Sequence, residues 1–234
     1  MTRLAITTDR FESAALPFRR NGFEVVSLPC IRIESADADV LSQARTAAAS
    51  CNLLLITSAR TVDLLWPDGS MPSSQVVVVG ERTAAAVEAR GGRLMLSGRA
   101  GFADLINRLG NKLESATVVF PHGGGQWSKP DTSTTLRSAI DTLRERAANL
   151  VEFEIYRTTS QPPGSGAVEA AAFASPSAVA GWHISRSFDG LVIGVIGSTT
   201  RLAVAAHRPP DVVAPKPSHD ALALAMASYL EVSA

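Results

Sequence analysis

The chain has 234 residues, of which 46% are hydrophobic and 19% charged, and its 22 basic side chains match its 22 acidic ones. This composition provides enough apolar side chains for a buried core and excludes a disordered chain. A net charge of zero argues against nucleic acid or a membrane surface as the partner. No apolar run reaches the roughly 20 residues of a membrane span, and the first residues lack the pattern of a signal peptide. The two cysteines, Cys30 and Cys51, are too few for a disulfide framework. We therefore expect a soluble, cytoplasmic globular protein.

Short apolar runs alternate along the chain with longer segments rich in Ala, Leu and Arg, which indicates an α/β fold with parallel sheets. Several runs are apolar at consecutive positions, as in strands that helices cover on both faces. The predicted strands are Leu4 to Thr7, Glu24 to Leu28, Leu53 to Thr57, Val76 to Val79, Thr117 to Phe120, Leu150 to Tyr156, Ala171 to Ala174, Leu191 to Ile196 and Val212 to Ala214.

Three residues carry the signal for the beginning of a helix. Asp9 is predicted to cap the first helix and Ser218 the last one, since short polar side chains accept hydrogen bonds from the first amides of a helix. Ser175 is predicted to cap a helix whose first residue is Pro176, a position that proline favours.

Breaks in the pattern indicate linkers and loops. The stretch TSQPPGSG from Thr159 to Gly166 is the clearest linker, and a second break lies at Ser35 to Asp37. The segment from Gly123 to Thr135 is polar and rich in glycine, and we expect it to form a surface loop.

A repeat with a constant spacing of 117 residues is the most informative feature of the sequence. The matched pairs are Ser58 with Ser175, Gly80 with Gly197, Thr83 with Thr200, Leu96 with Val213, Leu105 with Leu222 and Leu109 with Met226. Ala-rich helices after short strands align easily by chance, but the shared Ser, Gly and Thr favour duplication of one α/β unit.

In each half of the repeat a Ser or Thr follows the end of an apolar strand, near the start of a helix. The carboxyl ends of parallel strands are where open α/β folds bind ligands, and the free amides of a helix start attract anions. Four such starts, after Thr57, Val79, Ala174 and Ile196, predict two similar faces. If these faces oppose each other across a cleft, the ligand is an extended polyanion.

A structural interpretation of the same residues stays open. Ser58, Ser175 and Thr200 are also suited to be helix caps without any ligand, each contributing about 1 kcal/mol to stability. One residue can serve both purposes, through its side chain and through the amides that it leaves exposed.

The sequence offers no metal or cofactor motif. The four histidines, His122, His183, His207 and His219, are scattered and have no carboxylate at metal-ligand spacing. The run from His122 to Gly125 could wrap an anion but is not a Walker motif, and a flexible loop is the favoured interpretation. The patterns GxSxG and GxGxxG after a strand are absent. We therefore expect neither a metal nor a cofactor.

The chain contains two tyrosines. Tyr156 ends a strand-like run directly before the linker, so its hydroxyl either borders a core or points into a cleft. A tyrosine hydroxyl is protonated at neutral pH and can act as a hydrogen-bond donor or general acid. Tyr229 lies in the predicted terminal helix, where we expect it to pack.

Taken in order, several runs of the sequence resemble the uroporphyrinogen-III synthase family. They touch most of the chain, and although each is a weak pattern, the ordered set is more specific. The runs are PCIRI from Pro29, LLLITSARTV from Leu53, VVVVGERTAAAVEARGG from Val76, FEIYRT from Phe153, FASPSAV from Phe173, VIGVIGSTTRLAVAA from Val192 and PKPS from Pro215.

This resemblance implies two similar parallel-sheet α/β lobes joined by a two-segment hinge, the second lobe being inserted in the first. Residues 1–34 and 166–234 would form lobe 1, and residues 37–157 would form lobe 2. The hinge segments would be about 33–36 and 156–166.

The resemblance also implies a cofactor-free, cytoplasmic, monomeric hydro-lyase. Such an enzyme cyclises hydroxymethylbilane with inversion of the last pyrrole ring, giving uroporphyrinogen III for tetrapyrrole and heme biosynthesis. The implied steps are loss of hydroxide to an azafulvene, attack through a spiro intermediate, fragmentation and reclosure. The substrate carries eight carboxylates, which agrees with the expected polyanion.

Residues of this chain that match the family's motifs take their expected roles from it. Tyr156 resembles the family's tyrosine that assists departure of the substrate hydroxyl, and the substrate-binding residues are expected to be Ser58, Thr83, Ser175, Thr199 and Thr200.

This sequence departs from the family's pattern in two loops. Thr8 stands where members often carry arginine, although Arg10 is close, and the loop from Pro121 to Thr135 lacks the usual arginine. These departures leave an alternative open, a catalytically inactive two-lobed ligand-binding or regulatory module. A periplasmic-type solute binder is disfavoured, because no signal peptide is recognised.

Overall fold

The computed structural model describes residues 1–98, 101–124 and 134–231, with only the backbone described at 134–137. The strands are β1 (Arg3–Ile6), β2 (Glu24–Ser27), β3 (Ile31–Ser35), β4 (Leu53–Ile56), β5 (Gln75–Val79), β6 (Arg93–Gly98), β7 (Thr117–Gly124), β8 (Asn149–Ser160), β9 (Ala170–Phe173), β10 (Val192–Val195) and β11 (Val212–Val213). The helices are α1 (Phe11–Arg20), α2 (Ala38–Ser50), α3 (Ala59–Leu65), α4 (Glu81–Glu88), α5 (Phe102–Leu109), α6 (Thr134–Arg146), α7 (Pro176–Trp182), α8 (Ser198–Ala205) and α9 (His219–Tyr229). A 3-10 helix spans Gly110–Ser115.

The chain divides into two compact units. Unit 1 combines Met1–Ile33 with Thr158–Ala234, and unit 2 is the continuous segment Glu34–Arg157. The chain passes from one unit to the other within β3 and again within β8.

Each unit is built on its own sheet. The five-stranded sheet of unit 1 has the order β11-β10-β9-β1-β2, and every neighbouring pair is parallel. The six-stranded sheet has the order β3-β8-β7-β4-β5-β6, and the strands from β8 to β6 pair in parallel. Parallel sheets with intervening helices confirm the predicted α/β class.

The two sheets repeat one arrangement, as the spacing of 117 residues predicts. Shifted by that number, β4, α3 and α4 coincide with β9, α7 and α8 at both ends. The two sheets also share their strand register. Leu53 lies opposite Gln75, and the residues that correspond to them in the repeat, Ala170 and Val192, also lie opposite each other. The duplication predicted from Ser, Gly and Thr is therefore present in the fold.

Unit 1 buries apolar side chains on both faces of its sheet. Leu4 and Ile6 of β1 face a core with Phe18 of α1 and Met226 of α9, whereas Ala5 between them faces a second core with Trp182 of α7. Successive side chains of a strand point to opposite faces, so both faces of β1 are covered. This is the reason that the strand is apolar at consecutive positions.

A comparable core lies on one face of the sheet of unit 2. It joins strands β4, β5 and β7 to helices α5 and α6, and Phe102 stacks on Phe120 with ring centroids 5.7 Å apart. Helix α5 places Leu105, Ile106 and Leu109 on one stripe, the spacing of an amphipathic helix.

Two strands were not predicted from the sequence, β3 and β6. Both are the outer strands of the six-stranded sheet, and their side chains are mostly exposed or half-buried. Such strands lack the continuous apolar run that marks a strand covered on both faces.

The region around Gly123 also differs from the prediction. Pro121 to Gly124 continue β7, so Gly123 and Gly124 belong to a strand and not to the predicted loop. At the other end of that loop, Thr134 and Thr135 belong to α6. The rest of the predicted loop, residues 125–133, lies outside the described residues. Strand β8 likewise extends beyond Tyr156 to Ser160, so Thr159 and Ser160 are not part of a linker.

The three predicted helix caps have different outcomes. Ser175 and Ser218 accept hydrogen bonds from the amides of Ala178 (3.2 Å) and Ala221 (3.1 Å), so both predictions are confirmed. Helix α1 begins only at Phe11, with Arg10 at the capping position, so the prediction of Asp9 as its cap is wrong. The Asp9 carboxylate instead accepts from the Thr8 hydroxyl (3.2 Å).

No helix in the described ranges is both long enough and apolar enough to cross a membrane.

Candidate functional site

In unit 2 a serine caps the helix that follows strand β4. Ser58 has extended backbone angles, and its Oγ accepts a hydrogen bond from the amide of Arg60 at 3.2 Å. The cap interpretation of this residue is therefore confirmed, and the capped amide is already paired within the helix.

The next helix of unit 2 begins differently. Gly80 stands at the capping position of α4 with φ 83°, and no side chain caps this helix. Its first turn carries Glu81 at the first position and Thr83, which is 4% exposed, at the third. The first amides of α4 are thus not paired with a capping side chain, but an anion there would also meet the Glu81 carboxylate.

Unit 1 repeats both helix starts. Ser175 caps α7, while Gly197 precedes α8 without any side-chain cap. Thr200 takes the third position of α8 and is 2% exposed, whereas Thr199 before it is exposed. Because the first turn of α8 contains no acidic residue, this start is better suited to an anion than that of α4.

Tyr156 lies inside β8, opposite Gly123 of β7, and is 8% exposed. The prediction that it ends the strand is wrong, since four more residues of β8 follow it. Gly123 and the neighbouring Gly124 form the end of β7, and parallel pairing puts this end and Tyr156 at the carboxyl edge of the sheet. Ser58 and Thr83 follow strands of the same sheet at the same edge.

Arg60 is a candidate that the sequence prediction missed. It is the second residue of α3, and the carbon of its guanidinium lies 5.9 Å from the centroid of the Tyr156 ring. Its place two residues after Ser58 in the run TSARTV was a usable signal, because the start of a helix after a parallel strand lies at the ligand-binding edge.

Buried threonines form a second group that the sequence prediction recognised only in part. Among the described residues the buried polar side chains are Thr7, Thr61, Thr83 and Thr200. The Thr7 hydroxyl donates to the carbonyl of Ala172 at 2.7 Å, which ties β1 to β9. The Thr61 hydroxyl has no partner in the described part of the chain.

Two of the histidines are close in space, contrary to the prediction that all four are scattered. The rings of His183 and His207 stack with centroids 3.7 Å apart, and Phe188 contacts both. Burial, followed by the neighbouring His207, lowers the pKa of His183. In the described ranges no three His, Cys, Asp or Glu residues lie together as metal ligands would.

Both cysteines are buried and unpaired. Burial raises the pKa of the Cys30 thiol to about 12 and also raises that of Cys51. Thiols that stay protonated at neutral pH are poor nucleophiles, so neither cysteine is a candidate nucleophile.

The fold places this chain among the parallel α/β proteins, which bind their ligands at the carboxyl ends of the strands, and free helix starts at that edge favour anions. The family model described as uroporphyrinogen-III synthase HemD matches residues 12–223. The chain belongs to the uroporphyrinogen-III synthase family, whose members are enzymes of heme biosynthesis that act on a tetrapyrrole substrate.

Solved structures share the fold at low sequence identity. The uroporphyrinogen-III synthetase of Helicobacter pylori is 16% identical, with a TM-score of 0.67 over 98% of this chain and 100% of that one. A mutant uroporphyrinogen III synthase of Thermus thermophilus is 17% identical, with a TM-score of 0.61 over 99% of both chains. No curated protein sequence matches the chain.

Proposed function

We propose that this chain is an active uroporphyrinogen-III synthase, which cyclises hydroxymethylbilane with inversion of the last pyrrole ring and releases water as a hydro-lyase. The observation that carries the proposal is the family match over residues 12–223 in a chain that keeps a tyrosine at the carboxyl edge of its second sheet. No observation favours the inactive alternative.

Tyr156 is the residue proposed to start the reaction. The bond between the terminal methylene carbon and its hydroxyl oxygen breaks as the Tyr156 hydroxyl gives a proton to the departing oxygen. Water departs, the N–H proton of the same pyrrole returns to the phenolate, and an azafulvene remains. The last pyrrole then closes through a spiro intermediate, fragments and recloses in the inverted orientation. A preorganised donor at the departing oxygen lowers the barrier because it stabilises charge that develops in the transition state.

The remaining proposed site residues hold the substrate carboxylates. The uncapped starts of α4 and α8 offer free amides, and Thr83, Thr199 and Thr200 lie in those first turns. Ser58 and Ser175 are proposed to act through the backbone amides near them, because their hydroxyls already cap α3 and α7. Since amides bind anions without a cationic side chain, a net charge of zero is compatible with an octacarboxylate substrate.

The domain arrangement and the cellular setting complete the proposal. Segments 33–36 and 156–166 are proposed as hinges, the second of which includes the end of β8, and the boundaries of the two compact units, after Ile33 and Arg157, fall within them. The protein is proposed to act as a monomer in the cytoplasm, without a nucleic-acid or membrane partner. Two unpaired cysteines support a reducing compartment.

The test uses hydroxymethylbilane generated enzymatically and separates isomers I and III of the product. We expect isomer III to predominate when the protein is present. Isomer I alone, formed at the rate of the solution without protein, would reject the enzyme and leave the inactive binding module. Substrate protection against thermal unfolding would then show whether the binding site survives.

A further inference from the structure

The environment of the Tyr156 ring points to two residues that hold it in place. We propose that Gly123 and Arg60 are positioning residues for the Tyr156 hydroxyl, Gly123 by leaving room for the ring and Arg60 by holding a cation over it. This inference rests on the proposed function, in which Tyr156 meets the departing oxygen.

Gly123 leaves the space that the hydroxyl end of the ring occupies. A Cβ atom at position 123 would lie 2.6 Å from Cε2 and Cζ of Tyr156 and 2.8 Å from its hydroxyl oxygen. Real Cβ atoms do not approach other heavy atoms so closely, so any side chain larger than hydrogen displaces the phenol. Glycine is needed at this position because β7 and β8 are paired and the Tyr156 ring of β8 lies against the backbone of Gly123.

Arg60 contributes a positive charge to the same ring. Its guanidinium carbon lies 5.9 Å from the ring centroid, within the range of attraction between a cation and the face of an aromatic ring. The Arg60 amide is also fixed, because it donates to the Ser58 oxygen that caps α3. The serine cap therefore anchors the backbone of the residue that contacts the ring.

The consequence for catalysis concerns orientation. A donor that must meet one oxygen of a bound substrate loses most of its effect when it is displaced by about 1 Å. A ring that rests on the backbone of β7 and lies beside the cation of α3 samples fewer orientations than a ring on an exposed strand. Both contacts lie within unit 2, so they do not depend on the position of unit 1.

The experiment reads the ring directly, by NMR of protein with ring-labelled tyrosine. The chain has two tyrosines, so a Tyr229→Phe background leaves the signals of Tyr156 alone. We expect one narrow set of signals in the parent, broadened or split signals in Arg60→Met, and recovery of the narrow set in Arg60→Lys, which keeps a cation near the ring. Gly123→Ala is expected to shift the same signals.

The kinetic prediction is specific to positioning. Arg60→Met is expected to lower kcat by about ten- to a hundred-fold, with a smaller change in KM and with the melting temperature of the parent. The matched controls are Arg93→Met, an exposed arginine at the amino end of β6, and Gly69→Ala, where a Cβ meets nothing within 4 Å. Neither control is expected to move the Tyr156 signals or kcat.

The outcomes separate this inference from the proposed function. Tyr156 signals that stay unchanged in Arg60→Met would overturn the role of Arg60, even if activity is lost, because the arginine would then act on the substrate. Unchanged signals in Gly123→Ala would overturn the role of Gly123. If the signals respond as expected but the parent forms no isomer III, the positioning contacts stand and the proposed function fails.

Discussion

Single residues at the carboxyl edges differ in what their hydroxyls do. Ser58 and Ser175 use theirs to cap helices, and Thr7 uses its own to join two strands. Tyr156 differs from these, because its ring is held by neighbours while its hydroxyl is proposed to act on the substrate. Some hydroxyls of the chain thus stabilise its structure, and the hydroxyl of Tyr156 is the one proposed to take part in the reaction.

Replacing Tyr156 by phenylalanine removes the proposed donor and keeps the ring. We expect Tyr156→Phe to lower the rate of isomer III formation by roughly a hundred-fold, since loss of one positioned donor has an effect of this order. The melting temperature should remain that of the parent. Tyr229→Phe is the matched control, because Tyr229 is 55% exposed and, contrary to the prediction of packing, lies mostly in solvent. An unchanged rate of isomer III formation in Tyr156→Phe would show that Tyr156 only packs and that its hydroxyl takes no part in the reaction.

Thr7 and Thr61 are both fully buried threonines, but within the described residues only the Thr7 hydroxyl has a hydrogen-bond partner. Thr7→Val is expected to lower the free energy of unfolding by about 1–3 kcal/mol. The substitution deletes the hydrogen bond from the Thr7 hydroxyl and leaves the buried carbonyl of Ala172 with one donor fewer. Thr61→Val should leave that free energy unchanged or raise it by up to about 1 kcal/mol, since an unpaired hydroxyl is no longer buried. Urea denaturation of both variants measures the contrast, and equal losses would contradict it.

The lowered pKa of His183 predicts that this residue makes stability depend on pH. Its pKa in the folded chain lies below the ordinary value of 6.5, chiefly because it is buried. The unfolded chain therefore takes up the proton first, so the contribution of neutral His183 to stability is fully present above about pH 6.5 and is lost as pH falls from there through the folded pKa. We expect the melting temperature of His183→Gln to fall less between about pH 7.5 and about pH 5.5 than that of the parent. The same fall in both proteins would show that other groups cause it.

At the scale of elements, the two units distribute side-chain volume differently between a strand and the helix that packs against it. Gly194 of β10 corresponds to Val77 of β5, and Met226 of α9 corresponds to Leu109 of α5 in the repeat. A Cβ at Gly194 would lie 2.9 Å from Met226 Cγ and 3.1 Å from Leu222. The methionine of α9 therefore fills the space that a valine occupies in the other unit.

Adding a methyl group at this contact should overfill the core. We expect Gly194→Ala to lower the free energy of unfolding by about 1–3 kcal/mol. The double variant with Met226→Ala should lose less than the sum of the two single variants, because the methionine no longer opposes the new methyl group. Gly164→Ala, where the nearest atom is 4.0 Å away, is the control. Additive losses would show that the two positions do not share this space.

At the scale of the whole molecule, five strands of each unit share one order, to which unit 2 adds β3 at one edge, and the units differ in how the chain enters this order. Unit 2 runs without interruption from β4 through α5 to β7 and β8. Unit 1 obtains the counterparts of β7 and β8 from its amino-terminal segment, as β1 and β2. Joining the carboxyl-terminal segment directly to the amino-terminal one would give unit 1 the element order that unit 2 has from β4 to β8.

A chain that runs from Thr158 to Ala234 and then from Met1 to Ile33 is therefore expected to fold alone. It contains all five strands of the sheet of unit 1 and both of its cores. Circular dichroism should show cooperative melting, which residues 158–234 alone should lack, because β9 then loses β1 and the core loses Leu4 and Ile6. Absence of cooperative melting in the joined chain would show that unit 1 depends on unit 2.

The sequence by itself determined what depends on neighbours along the chain. Covered strands show as apolar runs, Ser175 and Ser218 are read as caps from the residues beside them, and a constant spacing reveals the duplication, because each signal is local or periodic. The motifs around Ser58 and Tyr156 also led to the family that the comparison shows.

Only the tertiary structure decided which distant residues meet. The outer strands β3 and β6, the stacked His183 and His207, and the ring of Tyr156 between Gly123 and Arg60 all depend on which strands are neighbours and in what register. Strand pairing joins segments separated by many residues, and no local pattern encodes that choice. The physical reason is that these contacts are selected by the packing of the whole sheet and its helices, which forms only when the chain has folded.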